Sequence, residues 1–450
     1  MTSTANRSTL ITVIVVFIVL CACIFALAAA VTGAAWYTVQ REVNATPLPT
    51  LNPTQIVDAM DEIQAYVITT RGLEPTEPVD RAFLTVAEVK QRVLDDFEED
   101  YSPEEAADDT RVLAAFGLVK PGLDLYNLYV RLYSEGVAGF YDPDTHELVL
   151  VSEAQGLNAY ERTVFAHEVT HALQDQVYDL RASGFSDEMY ETDSEKAEAV
   201  QAVLEGDASL LEEQYMETLS AGEKREYDAA VNAQDISLYY EMPQYLLQDF
   251  IFPYDQGLEF VRHYYDQDGW AGVDALWDNL PVSSEQILHP ERYDSGDVPV
   301  VVARPALTDT LGSGWRMLDS GVNGEWYTYL ILAYGQDAGA RLTQNQAARA
   351  AEGWGGDGYV VYGHEADEGL VLASHWVWDT PEDADEFVEA FREYADERFG
   401  GEATETGGRL CWPGTGLNCL LVGDIETLWV MAPEEAVFDT VLAEYPDFGQ

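Results

Sequence analysis

The residues best suited to chemistry lie in one short stretch, Glu161-Arg162-Thr163-Val164-Phe165-Ala166-His167-Glu168-Val169-Thr170-His171-Ala172-Leu173-Gln174-Asp175-Gln176. On a helix, His167 and His171 stand one turn apart on the same face, so both imidazoles can reach one zinc ion. Glu168, between them, is placed to take a proton from a water at that ion. Val164, Phe165, Val169, Ala172 and Leu173 recur at helical spacing and predict a buried apolar stripe. The chain then excludes one arrangement: a Gly and a third His at positions 174 and 177 would complete a metzincin pattern, and Gln174 and Val177 stand there instead. The third ligand must come from elsewhere.

The amphipathic stretch 194–216 offers it. Glu205 lies beside the apolar face marked by Val200, Val203, Leu204 and Leu211, and Gly206 follows. A mid-helix Gly costs about 1 kcal/mol against Ala, which predicts that another backbone must come close there. Glu198, two turns earlier on nearly the same face, is the alternative ligand. Asp207 or Asp175 could hold a ligand imidazole from behind. A donor for a developing oxyanion is usually a His or Tyr, and His289 and Tyr293 are the candidates downstream.

Several elements must position these groups. Val137–Asp142 and His146–Val151 flank the turn Pro143-Asp144-Thr145 and predict a β-hairpin, with His146 exposed at the turn. An edge strand there would let an extended peptide add beside the helix. Residues 55–133 read as helical, with capped starts at Thr85 and Ser102. Val300-Val301-Val302 reads as a strand, and the GWGGD stretch 353–357 as a tight turn. From about 300 onward, strands and helices alternate, predicting an α+β unit with antiparallel strands. Cys411 and Cys419 flank a turn and can close a disulfide in an oxidising compartment.

At the other end, Leu10 to Val31 is an almost unbroken apolar run without a charge, long enough to span a bilayer once. Trp36 and Tyr37 follow where an interfacial belt belongs. The expected organisation is a tail (1–9), a membrane helix (10–31), a linker (32–54), a helical subdomain (55–133), a catalytic unit (134–300) and a carboxyl-terminal unit (301–450). With the amino terminus inside, the catalytic unit is extracytoplasmic. The chain has 81 acidic and 23 basic residues, a formal charge of −58. That charge repels polyanions and excludes nucleic acid as an expected partner.

HExxH with a Glu on a later helix resembles the gluzincin clan of zinc metallopeptidases. The fuller wording resembles uncharacterised bacterial membrane-anchored gluzincin-like proteins over roughly residues 80–380. It consists of Gly139-Phe140-Tyr141-Asp142-Pro143, His167 to Gln176, Glu205-Gly206-Asp207-Ala208 and Ser284-Glu285-Gln286-Ile287-Leu288-His289-Pro290. The resemblance implies an α+β chain with a mainly helical zincin-like catalytic domain carrying a small sheet. It implies Zn2+ held by His167, His171 and Glu205, with Glu168 as base and a protein or peptide as substrate. The competing expectation is a cell-surface binding or scaffold protein that uses the same zinc without hydrolysis.

Overall fold

The computed structural model describes residues 53–135, 139–151, 157–183, 185–367, 369–414 and 416–448. The expected tail, the membrane helix and the linker up to residue 52 lie outside the described residues. Among the described residues, no helix is long and apolar enough to cross a membrane.

The chain is α+β. Helix α1 (Pro53–Arg71) leads to strand β1 (Asp80–Leu84), then to α2 (Val86–Asp100), α3 (Pro103–Phe116) and α4 (Leu125–Glu135). Thr85 and Ser102 cap α2 and α3 with reciprocal bonds to Glu88 and Glu105. The predicted hairpin forms as β2 (Gly139–Asp142) and β3 (Glu147–Val151). Strand β1 corrects the all-helical reading of 55–133. Asp-Arg-Ala-Phe-Leu is too short to show a period of its own, and it becomes a strand by pairing parallel to β3, giving the order β1-β3-β2.

Three long helices follow: α5 (Ala159–Tyr178), α6 (Ser194–Thr218) and α7 (Gln244–Asp268). The carboxyl-terminal unit is a seven-stranded antiparallel sheet of β4 (Trp315–Gly321), β5 (Trp354–His364), β6 (Leu370–Trp378), β7 (Thr404–Thr406), β8 (Arg409–Cys411), β9 (Leu417–Val422) and β10 (Glu426–Ala432). Its order is β4-β5-β6-β10-β9-β8-β7. Helices α8 (Gly324–Tyr334), α9 (Pro381–Arg398) and α10 (Glu435–Leu442) pack around it. Cys411 and Cys419 are bonded across β8 and β9.

Two readings near residue 300 change. Val300–Val302 is extended but forms no ladder, since its amide bonding reaches β5 only through Val300 N to Gly355 O, 2.7 Å. The GWGGD stretch is the irregular start of β5 rather than a turn. A β-carbon at Gly356 would stand 2.3 Å from Val300 O, so the passing segment demands glycine there. Asp357 is buried and accepts from Asn323 N, Gly324 N and Trp354 Nε1.

One apolar core runs from Phe97 and Phe116 through Leu204 and Phe260 to Trp376 and Trp429. It crosses both expected domain boundaries. Phe116 meets Tyr359 and Trp429 with ring centroids 5.1 and 6.0 Å apart. Arg398 donates to the carbonyls of Ala114, Ala115 and Phe116, satisfying the open end of α3.

Candidate metal centre

Helix α5 begins at Asn158, whose side chain accepts from Glu161 N while Glu161 reaches back, and it ends at Asp179 in the left-handed region. Every residue from Thr163 to Asp175 is buried. The expected stripe is therefore only part of the packing, and the polar groups of the motif sit inside the core. Such groups need partners.

The imidazoles have them. His167 Nδ1 lies 3.1 Å from Glu212 Oε2, and His171 Nδ1 lies 2.8 Å from Gln174 Oε1. A carboxylate and an amide oxygen only accept, so each ring carries its proton on Nδ1. Both Nε2 lone pairs are then left facing one atom. Glu205 Oε2 stands 3.1 Å from His167 Nε2 and 3.3 Å from His171 Nε2. Gln174 is itself held by donating to Leu204 O, next to Glu205.

Three lone-pair donors thus converge in a dry site, and His171 Nε2 makes no well-formed hydrogen bond. His167, His171 and Glu205 are one of two clusters among the described residues whose ligand atoms lie within 4.8 Å of one another. The other, Glu285, Asp297 and Asp379, already surrounds the Arg292 guanidinium at 3.8, 2.8 and 2.6 Å. The charge in the first cluster favours a cation. A proton and a metal ion compete for the same Nε2 lone pair: burial opposes charge on His167, yet the hydrogen bonds it donates to Glu205 and Glu212 outweigh that and push its pKa up to about 10, so a bound ion would displace the Nε2 proton. Burial would raise Glu205, but the charge of His171 and the bond from His167 hold it down to about 2. Two imidazoles and a carboxylate are a donor set that suits zinc.

Helix α6 reaches this height because of Gly206. A β-carbon there would meet Gly257 O at 2.2 Å, and one on Gly257 would meet Ala202 O at 2.2 Å. The close approach expected at Gly206 is therefore made by α7, and this brings α7 against the ligand helix. Arg71 fixes the next turn. It is buried and donates to both oxygens of Asp207 at 2.7 and 3.0 Å.

The sequence missed Glu212 and Gln174. Asp207 bonds Arg71 and Trp277, and Asp175 bonds Tyr141 and His146, so neither is bonded to His167 or His171. Glu212 is two turns after Glu205 on the same face of α6, and that spacing was the available signal. Glu198 is not in the cluster. Its electrostatic neighbours are Asp249 and Glu195. His289 Nε2 lies 2.8 Å from Glu325 Oε1, and Tyr293 donates to Asn279 O at 2.6 Å. Both expected oxyanion donors are engaged by other elements. A tyrosine beside the candidate cluster is Tyr254 on α7, its ring centroid 6.3 Å from that of His167.

Strand β2 runs along the helical stripe that carries Glu168 and His171. A β-carbon on Gly139 would stand 3.1 Å from Val164 Cγ1, and Tyr141 donates to Asp175 Oδ2 at 2.8 Å. Val164, Glu168, His171 and Asp175 fall on one helical stripe, so Glu168 and His171 lie between these two contacts. His146, at φ +55°, is not merely an exposed turn residue: its Nδ1 lies 3.0 Å from Asp175 Oδ2.

Residues 315–442 match a family described as "Domain of unknown function (DUF8575)". That span runs from the first residue of β4 to the last of α10. No curated protein and no solved structure matches the chain.

Proposed function

We propose that this chain is a zinc-dependent metallopeptidase, anchored by its apolar run 10–31 with the catalytic part outside the cytoplasm. The observation that carries the reading is the convergence of two Nε2 lone pairs and Glu205 Oε2 within 3.1–3.3 Å, with both Nδ1 atoms held from behind. His167, His171 and Glu205 would hold the ion. A zinc ion bound there supplies a Lewis acid and an acidified water.

The remaining roles fall to the chain. Glu168 takes the proton of the attacking water and returns it to the leaving amine. Strand β2, at the end of its sheet, offers an edge along which an extended peptide passes Glu168 and His171. Tyr254, whose ring stands beside that of His167, joins His289 and Tyr293 as a candidate hydroxyl or imidazole for the developing oxyanion.

The burial of the site favours a second reading. His167, Glu168 and His171 are 0% exposed and Glu205 is 3% exposed, which suits a closed, stabilising zinc site in a surface scaffold. Turnover separates the two. Zinc-loaded protein is expected to cleave casein or a peptide library. Glu168→Gln is expected to keep about one zinc per chain and lose at least about 100-fold in rate. Equal rates for the two proteins would leave the scaffold reading, and less than about 0.2 zinc per chain would end both.

A further inference from the structure

We propose a second binding site, remote in sequence from the HExxH stretch, for a short apolar peptide ending in a free carboxylate. It is a half-open cavity of about 1380 Å³ between α3 with the turn that follows it and the open end of the seven-stranded sheet. Leu123, Leu370, Phe399 and Met431 give it apolar walls, and Arg111 and Asn418 line it.

Two polar groups there lack the partners their surroundings call for. Asn418 is 6% exposed, its Oδ1 accepts from Trp429 Nε1 at 2.6 Å, and its Nδ2 has no partner. A buried amide donor left unpaired costs about 1–3 kcal/mol, so an acceptor entering the cavity recovers that loss. Arg111 has no ion pair among the described residues, and its hydrogen bond goes to Gly369 O at 3.2 Å. In a chain of charge −58 a guanidinium without an ion pair among the described residues is out of keeping with the surplus of carboxylates. The nearby ionic groups do not fill it. Arg398 is spent on the carbonyls of α3, Asp124 caps the turn to Asn127 at 3.0 and 2.6 Å, and Asp367, fully exposed, feels the charge of Arg111 but pairs with His364 at 3.0 Å.

The occupant follows from these features. The volume exceeds the roughly 300–1,000 Å³ of sites for small molecules, so a peptide segment fits better than a metabolite. The walls select apolar side chains. The carboxylate pairs with Arg111 and a peptide carbonyl accepts from Asn418 Nδ2. A strongly acidic peptide is repelled by the charge of the whole chain, which leaves one terminal carboxylate as the matching anion.

The test is fluorescence polarisation of full-length protein with a fluorescein-labelled Ala/Leu hexapeptide, run in EDTA so that no metal chemistry contributes. Saturable binding is expected, weakened about 10-fold when the peptide ends in a carboxamide and by a similar factor in Arg111→Gln. Asn418→Asp keeps the acceptor for Trp429 and turns the free donor into a carboxylate, so it is expected to abolish binding; burial of the new carboxylate lowers Tm as well, and the loss is read at a temperature where the variant is folded. Should that variant fail to fold, the Arg111→Gln arm decides. Equal affinity for acid and carboxamide, no saturation at millimolar peptide, or binding of octanoate but not of peptide would each overturn the proposal.

Discussion

Helix α6 carries buried glutamates in two opposite electrostatic settings. Glu205 faces two imidazoles and is held down to about 2. Glu195, near the start of the helix, is pushed up to about 8 by burial, against the bonds it accepts from Ser284. Glu198 is raised by burial and then by Asp249 and Glu195. Asp249 reaches about 7 through burial, although Tyr327 and Trp326 donate to it. One residue type on one helix is thus an anion at one level and a neutral acid at another. The neighbours decide: α5 presents bases to Glu205, while α7 presents another acid at the level of Glu198.

The comparison is broken most directly at the metal. Glu205→Gln removes the anionic ligand and is expected to strip zinc, with a loss exceeding the about 10–100-fold that a supporting residue costs. Glu198→Gln, on the same face two turns away, is expected to leave zinc content at the wild-type level. Elemental analysis of both variants decides, and zinc lost from Glu198→Gln with zinc kept in Glu205→Gln would invert the assignment.

A smaller effect is expected behind the ligands. Glu212→Gln and Gln174→Ala each loosen one imidazole and should weaken zinc binding about 10–100-fold in competition with a chelating dye. Gly206→Ala then tests the frame without touching a donor. Its methyl would meet Gly257 O, so α6 and α7 must part, at about 1–3 kcal/mol in urea denaturation. Unchanged stability would mean that the crossing yields freely.

Much of this was legible in the chain. HExxH places two imidazoles on one helical face through helical period alone, and a mid-helix Gly206 signals the close backbone that Gly257 supplies. The capping pairs at Thr85 and Ser102 are local in sequence and readable for that reason. Glu198 and Glu205 could not be separated, because they share a face and differ only by roughly 10 Å of rise along the axis. What stands at each height is set by segments remote in sequence, the two histidines of α5 at Glu205 and Asp249 of α7 at Glu198. Strand β1 was hidden for a similar reason: its partner β3 lies across three helices in sequence. GWGGD misleads because three glycines signal a turn, whereas Gly356, and Gly358 just beyond the stretch, make room for the segment at Val300 and Val302.

The last expected effect is a pH slope, and its sign distinguishes the two ends of α6. For Glu195 and Asp249 the native pKa values, about 8 and about 7, lie above the ordinary 4.5 and 3.8. Between those limits the native state holds protons that the unfolded state has released, so stability falls as pH rises. Their contribution is full below about pH 4 and is lost by about pH 8. Glu205 has the opposite sign: its contribution is present above 4.5 and lost as pH falls toward about 2. Zinc-loaded protein keeps His167 from titrating over the same range. It should therefore melt lower at pH 9 than at pH 5, and Asp249→Asn should flatten that difference. Glu285, also raised to about 8 by burial and Glu325, leaves a residual slope common to both proteins. An undiminished slope in Asp249→Asn would show that the acids beside Glu198 are ionised in the folded chain, and the contrast along α6 would fail.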